Sequence, residues 1–392
     1  MKTRRNRLFF LHSLALGLLV FLSINHLPVL AQTTNSMCSI CRHPALAKGV
    51  NMYNWFMGPT IFNQGHQKAF VTDSQILQMK NAGITHVRIP IYAGFLANFK
   101  TPTPTFIDAR IQLLDNAIAR MNKQSIAVVL SLVGNKNAPH DMATSVSVLN
   151  TYESLWGSLA SRYKNIPPNR IYFEVMNEPA YNVVFPKDPN GPAMWDRVQR
   201  RLLQSIRAVT QKHYVILTSY DWDTIGAVTQ ISNPVTGPNI LYTVHFYEPV
   251  AFVYQGLQSF GDPNIQQARL LPYPVEPFQC NETLKKLPES VAKSLAYYCY
   301  SRYSVANVDS RFKALHAWAQ KHQVPVYLGE FGAYNQFAPA GNTEQWVKDV
   351  RQISEKYRIP WAYWDYKADF TPMVKVEGVA NPKVTVPLGL HY

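Results

Sequence analysis

What this chain has little of is charge. Asp, Glu, Lys and Arg make up only 16% of its 392 residues, against 47% apolar. That balance excludes a disordered polypeptide and leaves ample material for a large core. Acidic residues are scarcest, 24 against 38 basic ones, for a formal charge of +14. The basic residues are dispersed, and no dense Lys/Arg block of the nucleic-acid-binding kind interrupts the sequence. Neither G-x-G-x-x-G nor a Walker loop occurs, so a glycine-rich phosphate cradle is missing. Past the N-terminus no apolar run is long enough to span a bilayer. Internal repeats, low-complexity linkers and an appended binding module are missing as well, and nothing in the sequence demands a cofactor or a metal.

Cysteine is sparse too, with four residues. Cys38 and Cys41 form a C-x-x-C, while Cys280 and Cys299 lie close together in one long segment expected to be irregular. Two local disulfides are the first reading and other pairings the second. A zinc site, which would need all four to converge, is a distant third. Aromatic residues, by contrast, are plentiful: 22 Tyr, 19 Phe and 8 Trp. Core packing accounts for most of them, and a groove that stacks on flat ligands such as sugars would use the rest.

The first residues read as a targeting segment. Lys2, Arg4, Arg5 and Arg7 precede an apolar stretch from Leu8 to about Ile24, and Val29-Leu30-Ala31 supplies small residues before Gln32. Residues 1–31 are therefore expected to be a secretory signal peptide cleaved after Ala31, with an uncleaved anchor as the rival. Cleavage predicts a secreted or periplasmic protein with no stable membrane insertion. Residues 32–47 are expected as a short extension and 48–392 as one catalytic domain.

Strand-like runs alternate with amphipathic helical patterns along that domain. The strands are expected at Gly49–Trp55, His86–Tyr92, Ile126–Val133, Ile171–Asn177, Tyr214–Tyr220, Ile240–Phe246, Val324–Glu330 and Trp361–Tyr366. Eight alternations in one chain predict an α/β fold, a single (β/α)8 TIM barrel. Its conspicuous feature is a long loop between strands six and seven, roughly residues 248–310. A doubly wound open sheet is the alternative.

In such a barrel, chemistry gathers at the carboxyl ends of strands. The fourth strand reads IYFEVMNEP and breaks at Pro179, which places Asn177 and Glu178 at its end. HVRIP gives Arg88 on the second strand, and HFYEP gives His245 and Tyr247 on the sixth. LGEFG sets Glu330 between glycines on the seventh, and WAYWDY gives Trp364 on the eighth. Two carboxylates on one barrel face suit glycoside hydrolysis, where one acid donates a proton to the leaving oxygen while the other acts ionised. Glu174, four residues before Glu178, points to the same side and reads as a structural carboxylate paired with a cation. Asp221, Asp223 and Asp365 are loop carboxylates that could bind sugar hydroxyls or cap helices.

The ordered set GVNMYNW, HVRIP, VMNEP, VHFYEP, LGEFG and WAYWDY resembles glycoside hydrolase family 5, the cellulase-type group with carboxylates on strands four and seven. The resemblance runs from about Lys48 onward. It implies a retaining mechanism with Glu178 as acid/base and Glu330 as nucleophile. It also implies that Arg88 and Tyr247 orient and charge-stabilise Glu330. His245 would tune Glu178, Asn177 would bond a sugar 2-hydroxyl, and Trp364 would floor the subsite of the reacting sugar. There is one departure: where the family usually ends its third strand in a histidine, this chain has Leu130-Ser131-Leu132-Val133-Gly134, with Val133 in that place. His140, on the following loop, is a weak substitute. The expected function is thus a secreted endo-β-1,4-glucanase acting as a monomer on a polysaccharide or oligosaccharide. Other retaining β-glycosidases (a mannanase, an exo-β-glucanase or an exopolysaccharide glycanase) are the alternative. A non-catalytic polysaccharide-binding barrel is a third reading.

Overall fold

Eight parallel strands close on themselves: β1 (Lys48–Asn51), β2 (His86–Tyr92), β3 (Ala127–Val133), β4 (Ile171–Glu174), β5 (Tyr214–Leu217), β6 (Ile240–Phe246), β7 (Val326–Phe331) and β8 (Trp361–Tyr363). β8 pairs back onto β1, which completes the barrel. This is a computed structural model, and it describes residues 38–58, 62–99, 103–186, 188–334, 336–367, 370–374 and 378–392. The targeting segment expected over residues 1–31 lies outside the described residues. Among the described residues, no helix is long and apolar enough to cross a membrane.

The strands form where Val, Ile, Leu and aromatic residues run together, as strands buried on both faces require. Helices cover the outside, among them Asp108–Lys123, Val146–Tyr163, Gly191–Arg207 and Asn342–Lys356. Each turns a buried stripe inward; on the second of these it includes Leu149, Tyr152, Leu155, Trp156 and Leu159. The connection after β5 includes a short helix, Ile225–Gln230, started by the Thr224 side chain accepting from Ala227 N–H.

The barrel floor is a separate apolar cluster of Leu46, Ala127, Val129, Tyr172, Ile216, Leu241, Tyr327 and Ala362. Leu46 reaches it from the segment before β1 and is completely buried. That segment is anchored at Ser39, whose hydroxyl accepts from Val326 N–H at 3.0 Å.

One expectation is corrected. The connection between β6 and β7 is largely helical, with helices at Pro263–Gln267, Pro277–Leu284 and Glu289–Ser301. Its prolines mislead a reading by composition, because Pro263 and Pro277 occupy first helical positions, where no amide hydrogen is needed. Asp262 and Glu276 cap those helices by accepting from Asn264 and Gln279 N–H. A buried Cys280–Cys299 disulfide ties the second helix to the third, and Cys38 bonds Cys41.

Candidate active site

The inward face of β2 carries His86 low in the barrel and Arg88 above it. Arg88 is fully buried, and every nitrogen of its guanidinium is engaged. Nε and Nη2 donate to the two oxygens of Glu174 at 2.9 and 2.5 Å. Nη1 donates to Glu330 Oε1 at 2.6 Å and to Asn51 Oδ1 at 2.9 Å. Nη2 also donates to Asn177 Oδ1 at 2.7 Å and Ser131 Oγ at 3.0 Å. Burial alone would weaken its charge, yet Glu174 and Glu330 hold it firmly protonated. Glu174 is therefore the buried structural partner its position suggested, and Arg88 serves two carboxylates.

Glu330 reaches the interior by a break in strand regularity. Tyr327 and Gly329 face inward, so simple alternation would turn Glu330 toward the outer helices. The ladder slips instead: Val244 pairs with Leu328, but His245 pairs with Glu330. On the other side Trp361 pairs with Leu328 and Tyr363 with Phe331. One extra residue on β7 swings the carboxylate inward, as a bulge does. Gly329 makes room for this, since a Cβ there would run into Thr243 Oγ1 and come within 3.3 Å of His245 Nε2.

Around Glu330, Tyr247 donates its hydroxyl to Oε2 at 2.7 Å, and burial keeps that phenol protonated. His245 Nδ1 lies 2.8 Å from Glu178 Oε1 and 3.6 Å from Glu330 Oε2. Burial pushes this imidazole down to about 4, so it is neutral at pH 7. Burial pushes Glu178 up to about 7, with Arg88 opposing and Glu174 adding to the rise. Glu330 is raised as well, again by burial first, while Arg88 and the Tyr247 hydroxyl oppose the rise. The hydrogen bonds separate the two acids. Glu330 accepts from a guanidinium and a phenol, which favours its ionised form, whereas the Glu178 carboxyl meets a neutral imidazole and the Asn177 amide, neither of them a cation.

An oxygen of Glu178, an oxygen of Glu330 and a nitrogen of His245 all lie within 4.8 Å of one another. Among the described residues this is the group of side chains that could converge on a metal ion. Arg88, already on Glu330, opposes a second cation there.

Of the residues predicted from sequence, Arg88, Asn177, Glu178, His245, Tyr247 and Glu330 meet in one hydrogen-bonded cluster. Trp364 stands at the end of β8, 8% exposed, its ring 5.2 Å from that of Tyr53 and tilted by 40°. His140 lies on the helix Ala138–Thr144, more than half exposed, bonded to Asp141 and stacked on Phe185. Sequence reasoning missed Ser131 and Asn51 as partners of Arg88. Asn51 sits inside the quoted GVNMYNW, so its position was visible although its role was not. Asp223 was read as a loop carboxylate; it is fully buried, and its Oδ2 accepts from Glu178 N–H at 3.1 Å.

The sequence model of a family described as Cellulase (glycosyl hydrolase family 5) matches residues 46–370. Endoglucanase 3 of Fibrobacter succinogenes is 25% identical over 341 residues, 83% of this chain and 50% of that protein. The chain thus spans about half the length of that relative. Endoglucanase C of Acetivibrio thermocellus is 22% identical over 328 residues, 81% of this chain and 90% of that one. Among solved structures, endoglucanase Cel5A from the hyperthermophilic Thermotoga maritima superposes with a TM-score of 0.71. It is 24% identical, over 89% of this chain and 99% of its own. The cellulose synthase subunit Z of Clostridioides difficile gives a TM-score of 0.68 at 22% identity, over 87% and 99%.

Proposed function

The chain belongs to the cellulase family, glycosyl hydrolase family 5, and from that premise we propose that it is a secreted endo-β-1,4-glucanase working by double displacement. One observation carries the mechanism: oxygens of Glu178 and Glu330 lie within 4.8 Å of each other. Retaining glycosidases hold their carboxyl groups about 5–5.5 Å apart, whereas inverting ones need about 6.5–9.5 Å to admit a water.

In the first step ionised Glu330 attacks the anomeric carbon. The glycosidic carbon–oxygen bond breaks, and Glu178 gives its proton to the departing oxygen. In the second step Glu178 takes a proton from water, whose oxygen displaces Glu330 from the anomeric carbon. Two inversions restore the β configuration. Arg88 and Tyr247 hold Glu330 ionised and aimed. His245 holds the Glu178 carboxyl, and Asn177, fixed by Arg88 through Oδ1, presents its amide N–H₂ to a sugar 2-hydroxyl. Trp364 packs beneath the reacting sugar. Export is supported by the basic and apolar N-terminal segment, and the two disulfides suit an oxidising compartment.

Polymer choice has a second reading. Val133 stands where a sugar-contacting histidine is usual, which leaves a mannan or an exopolysaccharide open as the polymer. Thermotoga maritima Cel5A has been solved with cellobiose and with mannotriose. Reducing-sugar release from carboxymethylcellulose, mannan, xyloglucan and mixed-linkage glucan separates these substrates. NMR of the first product tests the mechanism: a β anomer is expected, and an α anomer would falsify retention. A slow 2-fluoro glycoside should leave its sugar covalently on Glu330.

A further inference from the structure

Glu178 holds a backbone conformation that nothing in its own sequence favours. Its φ is 44°, in the left-handed region, and it immediately precedes Pro179. A side-chain-bearing residue is disfavoured there, and a following proline narrows the choice further. Such a conformation persists only where its surroundings hold it.

The group that holds it is Asp223. Its two carboxylate oxygens accept separate backbone N–H groups, Oδ2 from Glu178 at 3.1 Å and Oδ1 from Ser219 at 2.6 Å. Its backbone carbonyl accepts from His245 N–H at 2.8 Å. One residue therefore ties together the end of β4, the end of β5 and the middle of the β6 motif. Asp223 follows Trp222, and both are left-handed, at φ 56° and 50°. That double turn folds the carboxylate back under the Glu178 peptide. The groups acting on Asp223 are these backbone amides and the neighbouring carboxylates of Glu174 and Glu178, none of them a cation. Burial without a cation pushes the Asp223 carboxyl well above the ordinary carboxylate range, a cost that marks its use here as specific. Two N–H groups need two acceptors, which a carboxylate offers and an amide side chain does not.

We propose that Asp223 is the positioning residue for the acid/base: it fixes the Glu178 peptide and the His245 backbone together, so that the Glu178 carboxyl meets the leaving oxygen. The proposal rests on the acid/base reading of Glu178 given above. Asp223 touches no reacting atom. Its effect is on protonation of the leaving group, and a merely structural residue would not act selectively on that step.

The test is the ratio of kcat/KM on two substrates. 2,4-Dinitrophenyl β-cellobioside loses its phenolate without help, whereas phenyl β-cellobioside needs a proton from the acid. In Asp223→Asn the Nδ2 group meets a backbone N–H and cannot accept from it. The expected result is a loss of about 100-fold on the phenyl substrate, the scale of a misplaced catalytic group, with the dinitrophenyl substrate little changed. Activity on the second substrate also certifies that the site is folded. Should Asp223→Asn not fold, Asp223→Glu keeps both acceptors but displaces the peptide, and it should show the same split. Equal loss on both substrates, or loss on neither, overturns the proposal. Glu178→Gln is the reference: if it shows the split and Asp223→Asn does not, only the role of Asp223 falls. If Glu178→Gln lacks the split, the acid/base assignment falls, and this inference with it.

Discussion

The two ends of the barrel interior are built from the same strands and obey opposite rules. Along β3, Val129 of the floor is followed two residues later by Ser131 of the site; along β4, Tyr172 is followed by Glu174. One step of the strand period turns hydrocarbon into charge. The floor stabilises the fold by burying apolar surface, about 1.5–3 kcal/mol for a side chain such as Leu46. The mouth does the reverse: it holds Arg88, Glu174 and Glu330 out of water and tolerates them only because each is paired. A cluster of this kind works when complete and fails when one member is removed.

The largest effects should therefore come from the mouth. Glu330→Gln removes the nucleophile and is expected to lower kcat on the order of 10⁴-fold or more, as loss of a covalent catalyst does. Glu178→Gln should cost on the order of 10²–10⁴-fold, the usual worth of a general acid. Circular dichroism of both variants should match the unmodified protein. Near-normal turnover of a substrate with a poor leaving group in either variant would break the assignment.

Arg88→Lys comes next. An ammonium cannot reproduce the planar fork that reaches Glu174, Glu330, Asn177 and Asn51 together. At least one carboxylate is left buried without its partner, so a loss of about 3–5 kcal/mol in urea unfolding is expected, along with most of the activity. Retained stability would mean that water enters the mouth readily.

A smaller effect lies in pH. Glu178 must be protonated to act, and burial places its pKa at about 7. kcat/KM should fall about tenfold per unit as pH rises beyond that value. Glu330 must be ionised, and its pKa is raised from 4.5, so the acid limb lies above pH 4.5. Stability should follow the same group. A carboxyl whose folded pKa is raised binds its proton more tightly in the folded state. Its contribution is full below 4.5, the ordinary value, and is lost as pH rises to about 7. Urea unfolding across that window should show this slope in the unmodified protein and a flatter one in Glu178→Gln.

The mouth was more legible in the sequence than the floor, for physical reasons. Charge, amides and proline at strand ends are exceptions to strand composition, so Arg88, Asn177, Glu178 and Glu330 announce themselves. Leu46 does not, since one leucine in a short N-terminal segment has no periodicity to betray where it packs. The bulge at Gly329 was half visible, as glycines around Glu330, but a ladder shift depends on both neighbouring strands. Asp223 was hidden for a related reason: its partners are backbone N–H groups 4 and 45 residues away, and backbone partners leave no mark on composition. The helices between β6 and β7 were obscured because proline marks a helix start as well as a loop.

The smallest effect on rate is expected at the floor, and it tests whether the two ends are separable. Leu46→Ala removes a fully buried side chain from the apolar cluster that includes Tyr172 and Tyr327. The cavity should cost about 2–5 kcal/mol of stability. Tyr327 offers a path upward, since its hydroxyl meets His86 Nε2 at 2.7 Å, and His86 lies two residues from Arg88 on β2. Burial pushes His86 down to about 3, so that contact is between neutral groups and transmits no charge. Arg88 is fixed independently by its partners in the mouth. Leu46→Ala should therefore unfold at lower urea while kcat and the pH profile stay unchanged below its melting transition. A fall in kcat, or a moved basic limb, would show that the floor sets the geometry of the acids and that the division between the two ends is false.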